Sequence, residues 1–250
     1  MMAWLSVLGF PAAIYVASIT ALFIHMLGQK FDPWAVFGSG LLAMGVYIFH
    51  RSSVQECTSM QQRHRICLNH RNQLRIVSAI AVSISLIVLA VLHPVAPILI
   101  VGAFVGVVLY GRHTWIVPIR NIMLLKPPAV GVSIAGLAWV LAGMPADVFS
   151  VVALAMICSA DALLCDLDDR EYDLATECTT MALKLGASRS WIVAVIAYSL
   201  GCGLFFFHTQ SNVGLLLLIA FPFPLLTMGK GFRTPVDLRP LGVLLIAWLV

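Results

Sequence analysis

Charged side chains are scarce in this chain: 15 Lys and Arg with 11 Asp and Glu amount to 10% of its 250 residues, against about 25% in an ordinary soluble domain. That shortage excludes a soluble globule of the usual kind. Disulfide and zinc-finger patterning is missing as well. The six cysteines at 57, 67, 158, 165, 178 and 202 include no Cys-x-x-Cys, and several lie inside apolar runs, so they read as small buried hydrophobes. The net charge of +4 comes without any feature that would suggest a nucleic-acid partner.

Apolar residues, in contrast, make up 61% of the chain, and its mean hydropathy is +0.99. The composition is that of a polytopic, all-α membrane protein in which the lipid bilayer is the surrounding medium. With about 20 apolar residues per crossing, 17 being tolerated, eight spans are expected, near 3–27, 34–50, 76–92, 95–110, 128–144, 148–165, 190–208 and 212–228. A ninth apolar run, Leu241 to Val250, reaches only about half-way at 1.5 Å per residue. It either belongs to a longer helix or dips in without crossing. The first span is too long for a secretory signal and lacks a basic start and a small-residue cleavage site, so it is expected to remain as a mature helix.

With the N-terminus placed on the cytoplasmic side, fourteen of the fifteen basic residues fall in inner loops and only Lys30 falls outside. That asymmetry predicts cytoplasmic placement of both the N-terminus and the acidic loop described next. The order of helices and polar loops repeats coarsely, suggesting a single transmembrane domain of two four-helix halves, about 1–110 and 111–228, followed by the partial segment 241–250.

Seven of the eleven carboxylates crowd between Asp161 and Glu177. On a continuous helix Asp166, Asp169 and Asp173 fall within roughly 60° of one another, with Arg170 beside them and Asp168 pointing away. Like charges on one face repel unless a cation sits among them, and hard oxygen ligands of this kind suit Mg²⁺. The stretch is thus either a metal-diphosphate site or a solvated acidic turn. Three other features admit two readings each. His64, Cys67 and His70 recur every three residues, as a transition-metal site or as a basic surface helix against headgroups. Tyr110, Arg112, Arg120, Asn121 and Lys126 could hold phosphate oxygens or anchor the loop. Phe205, Phe206 and Phe207 could shield a carbocation or line a lipid cavity, or could pack the bundle.

The spacing Asp166, Asp169, Asp173 in CDLDDREYD resembles the second acidic signature of the UbiA family of membrane prenyltransferases. TTMALKLG, Thr179 to Gly186, and LLKPPAVGVSIAGLAWVLAG, with Lys126 and Trp139, are similar to the passages that follow that signature and enter the family's fifth helix. The resemblance implies a helical bundle around a central cavity open to lipid, in which Mg²⁺ and a prenyl diphosphate are held and the prenyl group passes to an aromatic or lipid acceptor. It implies Asp166, Asp169 and Asp173 as metal ligands and catalytic residues, and Arg51, Lys126 and Arg170 as diphosphate contacts. The family's first acidic motif is not matched: in YIFHRSSVQE, His50 and Val54 stand where carboxylates are expected, leaving Arg51 and Glu56. The alternative is therefore a catalytically degenerate relative that binds an isoprenoid without turning it over.

Overall fold

The computed structural model describes residues 2–53, 56–57, 61–95, 97–98, 100–103, 105, 122, 125–145, 147–209, 212–220 and 233–249. Among these no strand occurs. The helices are α1 (Met2–Val7), α2 (Phe10–Met26), α3 (Pro33–Arg51), α4 (Gln62–Asn69), α5 (Arg71–Leu92), α6 (Lys126–Leu141), α7 (Val148–Asp168), α8 (Arg170–Ala175), α9 (Met181–Thr209), α10 (Asn212–Ala220) and α11 (Arg233–Leu249).

Four of them, α3, α5, α7 and α9, are long and apolar enough to cross a membrane. Two more of the expected spans are the shorter apolar helices α2 and α6. The expected spans 95–110 and 212–228 fall largely or partly outside the described residues, so the described helices do not carry the full count of eight. The outward surface suits lipid: on α5, Ile76, Ile80, Ile87 and Val91 all point away from the protein, Val91 being 81% exposed.

Local chemistry sets the helix ends. Asp32 caps α3 by accepting from the Trp34 amide at 2.9 Å and the Ala35 amide at 3.2 Å, with Pro33 at the first helical position. Asp147 caps α7 in the same way, accepting from the Phe149 amide at 3.1 Å. Within α9, Gly186 breaks the helical path at φ 76°, ψ 170°, dividing it into 181–185 and 187–209. A Cβ there would meet no neighbour, so the backbone conformation, and not crowding, is what requires glycine.

Helices pack through small residues, as expected where lipid offers no hydrophobic drive for association. Between α3 and α5, the Ser78 hydroxyl donates to the Gly45 carbonyl at 2.7 Å and the Ser85 hydroxyl to the Gly38 carbonyl at 2.8 Å. The partners are seven residues apart on each helix and run in opposite directions, so the two bonds fix an antiparallel register. Between α6 and α7, Gly131 approaches so closely that an added Cβ would lie 2.8 Å from the Ser159 amide nitrogen.

Two helix groups result. In one, α2, α3 and α5 pack together; in the other, α6, α7, α9 and α10; α2 touches α6, and α11 lies against α2, α7 and α10. The run from Leu241 is the later part of α11, which starts at Arg233 and places Trp248 against Phe31 at 5.0 Å. The aromatic cluster on α9 is split: Phe205 is fully buried against Phe23, with ring centroids 6.2 Å apart, while Phe207 is 81% exposed.

Candidate functional site

The C-terminal ends of α3 and α7, the N-terminal end of α6, and the short helices α4 and α8 meet at one end of the bundle. A small apolar cluster of Val7, Ile48, Cys67, Leu74 and Tyr172 joins α1, α3, α4, α5 and α8 there. The acidic stretch is not one continuous helix as the spacing argument supposed. Helix α7 stops at Asp168, Asp169 occupies the break at φ −94°, ψ 3°, and α8 runs only from Arg170 to Ala175. The backbone still turns helically across the break, since the Asp173 amide donates to the Asp169 carbonyl at 2.8 Å.

The break gives each carboxylate a different neighbour. Lys126 Nζ lies 2.6 Å from Asp166 Oδ1 and 3.9 Å from Asp173 Oδ2, so two carboxylates on different helices converge on one ammonium group. The three side chains are 13%, 6% and 9% exposed, so little solvent screens the contact. Lys126 is the first residue of α6, the positive end of that helix dipole and an unfavourable place for a cation. The carboxylates outweigh that penalty.

Asp169 turns to Arg63 of α4, with which it forms an ion pair. The same helix is tied down twice more: Gln61 Nε2 donates to the Asp168 carbonyl at 3.3 Å, and the His64 ring packs on Tyr172 with centroids 4.2 Å apart. Arg51, at the end of α3, is buried and donates to the Tyr47 hydroxyl at 2.6 Å, its guanidinium 5.0 Å above the Tyr47 ring. Arg51 and Arg63 both act electrostatically on Cys67. Burial nevertheless dominates there and pushes the Cys67 thiol up, against the pull of the two guanidinium groups, so the thiol stays protonated near neutral pH.

Of the residues singled out by sequence, Asp166, Asp173 and Lys126 are brought together, Asp169 sits in the adjoining turn, and Arg51 is buried against Tyr47. Arg170 is exposed, as is Glu56. Tyr110, Arg112, Arg120 and Asn121 lie outside the described residues. The His64, Cys67, His70 repeat is spent on packing: His64 meets Tyr172, Cys67 joins the apolar cluster, and His70 meets Trp4 at 5.1 Å. No group of three or more His, Cys, Asp or Glu side chains placed to hold a metal occurs among the described residues. Sequence reasoning missed Arg63 as the partner of Asp169, because nothing in the basic loop marks a contact 106 positions away. No protein-family model matches this chain, and no curated protein sequence is significantly similar to it.

Proposed function

We propose that this end of the bundle binds the diphosphate of a prenyl lipid together with Mg²⁺, and that the protein is a UbiA-like prenyltransferase acting on an aromatic or lipid acceptor. The observation that carries the reading is the convergence of Asp166 and Asp173, from two helices, on the single cation of Lys126. Carboxylate oxygens are the donor type Mg²⁺ takes, usually one or two of them alongside waters and substrate phosphates. Asp166 and Asp173 would hold the ion, with Asp169 in the next turn. When bound, Mg²⁺ supplies charge to stabilise the diphosphate as it leaves the allylic carbon.

The chain's own residues do the rest. Lys126 Nζ, beside Asp166 and Asp173, carries three N–H donors that would serve the diphosphate oxygens. Arg63 and Arg51 add positive charge from the adjoining helices in a poorly hydrated setting, where such charge acts strongly on a developing anion. The test is purified protein incubated with Mg²⁺, a panel of prenyl diphosphates and candidate acceptors, with pyrophosphate release as readout. Release that is lost in Asp166→Asn and Asp173→Asn supports transfer.

A second reading is favoured by one feature: each cation at the site already has a protein partner, Arg51 with Tyr47, Arg63 with Asp169 and Lys126 with two aspartates. A site so internally balanced suits a protein that holds an isoprenoid without cleaving it. Saturable binding of a prenyl diphosphate without pyrophosphate release, whatever the acceptor, selects this alternative. Absence of any binding defeats both.

A further inference from the structure

Asp161 and Arg239 form an ion pair inside the bundle, Asp161 lying about one and a half helical turns before Asp166 on α7, with side chains 3% and 1% exposed. Arg239, which its neighbours in sequence would place among the surface anchors, instead lies inside the protein. Asp161 also accepts a hydrogen bond from the Tyr15 hydroxyl at 2.7 Å. The guanidinium of Arg239 lies 4.3 Å from the centroid of the Tyr198 ring, and the Tyr198 hydroxyl donates to the Leu217 carbonyl at 3.1 Å. One continuous set of polar contacts thus joins α7, α11, α2, α9 and α10. The helix it holds is unlike its neighbours: α11 has an arginine and Pro240 inside it, and it packs across α2 on one side and α7 and α10 on the other.

We propose that Asp161 and Arg239 are a charge latch that seats α11 across the seam between the two helix groups. The seating depends on Asp161 more than on Arg239. An arginine cannot shed its proton, so Arg239 without its carboxylate remains a full charge in an apolar core and draws α11 out. An aspartate can take up a proton, so Asp161 without its arginine can become a neutral acid still bonded to Tyr15, at a cost that lessens as pH falls, and α11 is held better than in the reverse case. Replacing both by apolar residues of similar bulk also leaves α11 in place, since such replacements of buried pairs are commonly tolerated.

The experiment is amide hydrogen exchange on the full chain in detergent micelles, comparing the wild type with Asp161→Leu, Arg239→Leu and the double variant. In Asp161→Leu, protection of the amides of 241–249 is expected to fall about tenfold or more while that of α3 and α5 is kept, as befits local opening. In Arg239→Leu the loss is expected to be smaller than in Asp161→Leu and to shrink further as pH falls and Asp161 takes up a proton, while in the double variant protection of 241–249 is expected to stay within about threefold of wild type. Retained protection in Asp161→Leu, or equal losses in Asp161→Leu and Arg239→Leu, overturns the latch. If Asp161→Leu fails to fold, recovery of folding when Arg239→Leu is added supports the latch, and no recovery overturns it.

Discussion

Replacing Lys126 by methionine leaves Asp166 and Asp173 facing each other with their shared cation gone. At the distances of 2.6 Å and 3.9 Å and an effective dielectric near 20, the lost attractions are about 6 and about 4 kcal/mol before desolvation is counted. The net cost is smaller, because removing one partner of a buried pair typically destabilises by about 3–5 kcal/mol. Chemistry sets a ceiling too: one stranded carboxylate can take a proton, which for an ordinary aspartate at pH 7 costs about 1.36 × (7 − 3.9), or roughly 4 kcal/mol. Lys126→Met is therefore expected to lose about 3–4 kcal/mol at pH 7, while at pH 5 the same ceiling drops to about 1.5 kcal/mol. Reversible unfolding in mixed detergent micelles, followed by circular dichroism at both pH values, measures this. A loss below about 1 kcal/mol at pH 7, or an equal loss at both, refutes the buried-pair argument. Millimolar Mg²⁺ should restore part of the stability of Lys126→Met and little to the wild type. Failure of that second effect alone counts against the metal and leaves the electrostatics standing.

Other outcomes follow from packing and capping. Gly131→Ala forces α6 away from α7 and is expected to cost about 1–3 kcal/mol, because even with the Ser159 hydroxyl turned aside the Ala155 carbonyl and the Ser159 amide still obstruct the new methyl group. Cysteine pairs engineered across that interface would cross-link more slowly. Ser85→Ala removes a hydrogen bond to a helix carbonyl and should cost about 0.6 kcal/mol, the usual worth of an interhelical bond among membrane helices; a thermal melt in detergent with no change in midpoint would show the bond to be idle. Burial works to raise the Asp147 carboxyl, but the Ser150 hydroxyl, the Ser150 and Phe149 amides and His208 together hold it below its ordinary value. Its stabilising effect is then present above the unfolded value, about 3.9, and disappears as pH falls through the lower folded value. Asp147→Ala should accordingly cost about 1 kcal/mol at pH 7 and progressively less in acid, whereas Asp147→Asn keeps most of the cap; equal losses for the two variants would contradict this.

Much of the architecture was legible from periodicity and composition, because an apolar run of membrane length has few alternatives to a helix. The expected segments at 34–50, 76–92, 148–165 and 190–208 correspond to α3, α5, α7 and α9. The spacing of Asp166 and Asp173 places both carboxylates towards one neighbour, Lys126, although the helix beneath them is broken at Asp169, since the break keeps helical turning. Arg170, adjacent to the aspartates in sequence, is exposed, whereas Lys126, far away in sequence, supplies the cation. Asp161 carried a readable signal, a carboxylate embedded in an apolar run, which in such a setting demands a partner. The identity of that partner was not readable.

Composition and hydrophobic pattern by themselves determined that this is a helical protein with apolar outer faces and one strongly acidic stretch. These properties depend on each residue's own chemistry and on neighbours a few positions away. Only the tertiary structure decided which charge answers which: Lys126 with Asp166 and Asp173, Arg63 with Asp169, and Arg239 with Asp161. Those pairings depend on helix packing across 40 to more than 100 positions, and a charge by itself carries no record of the partner that folding will bring to it.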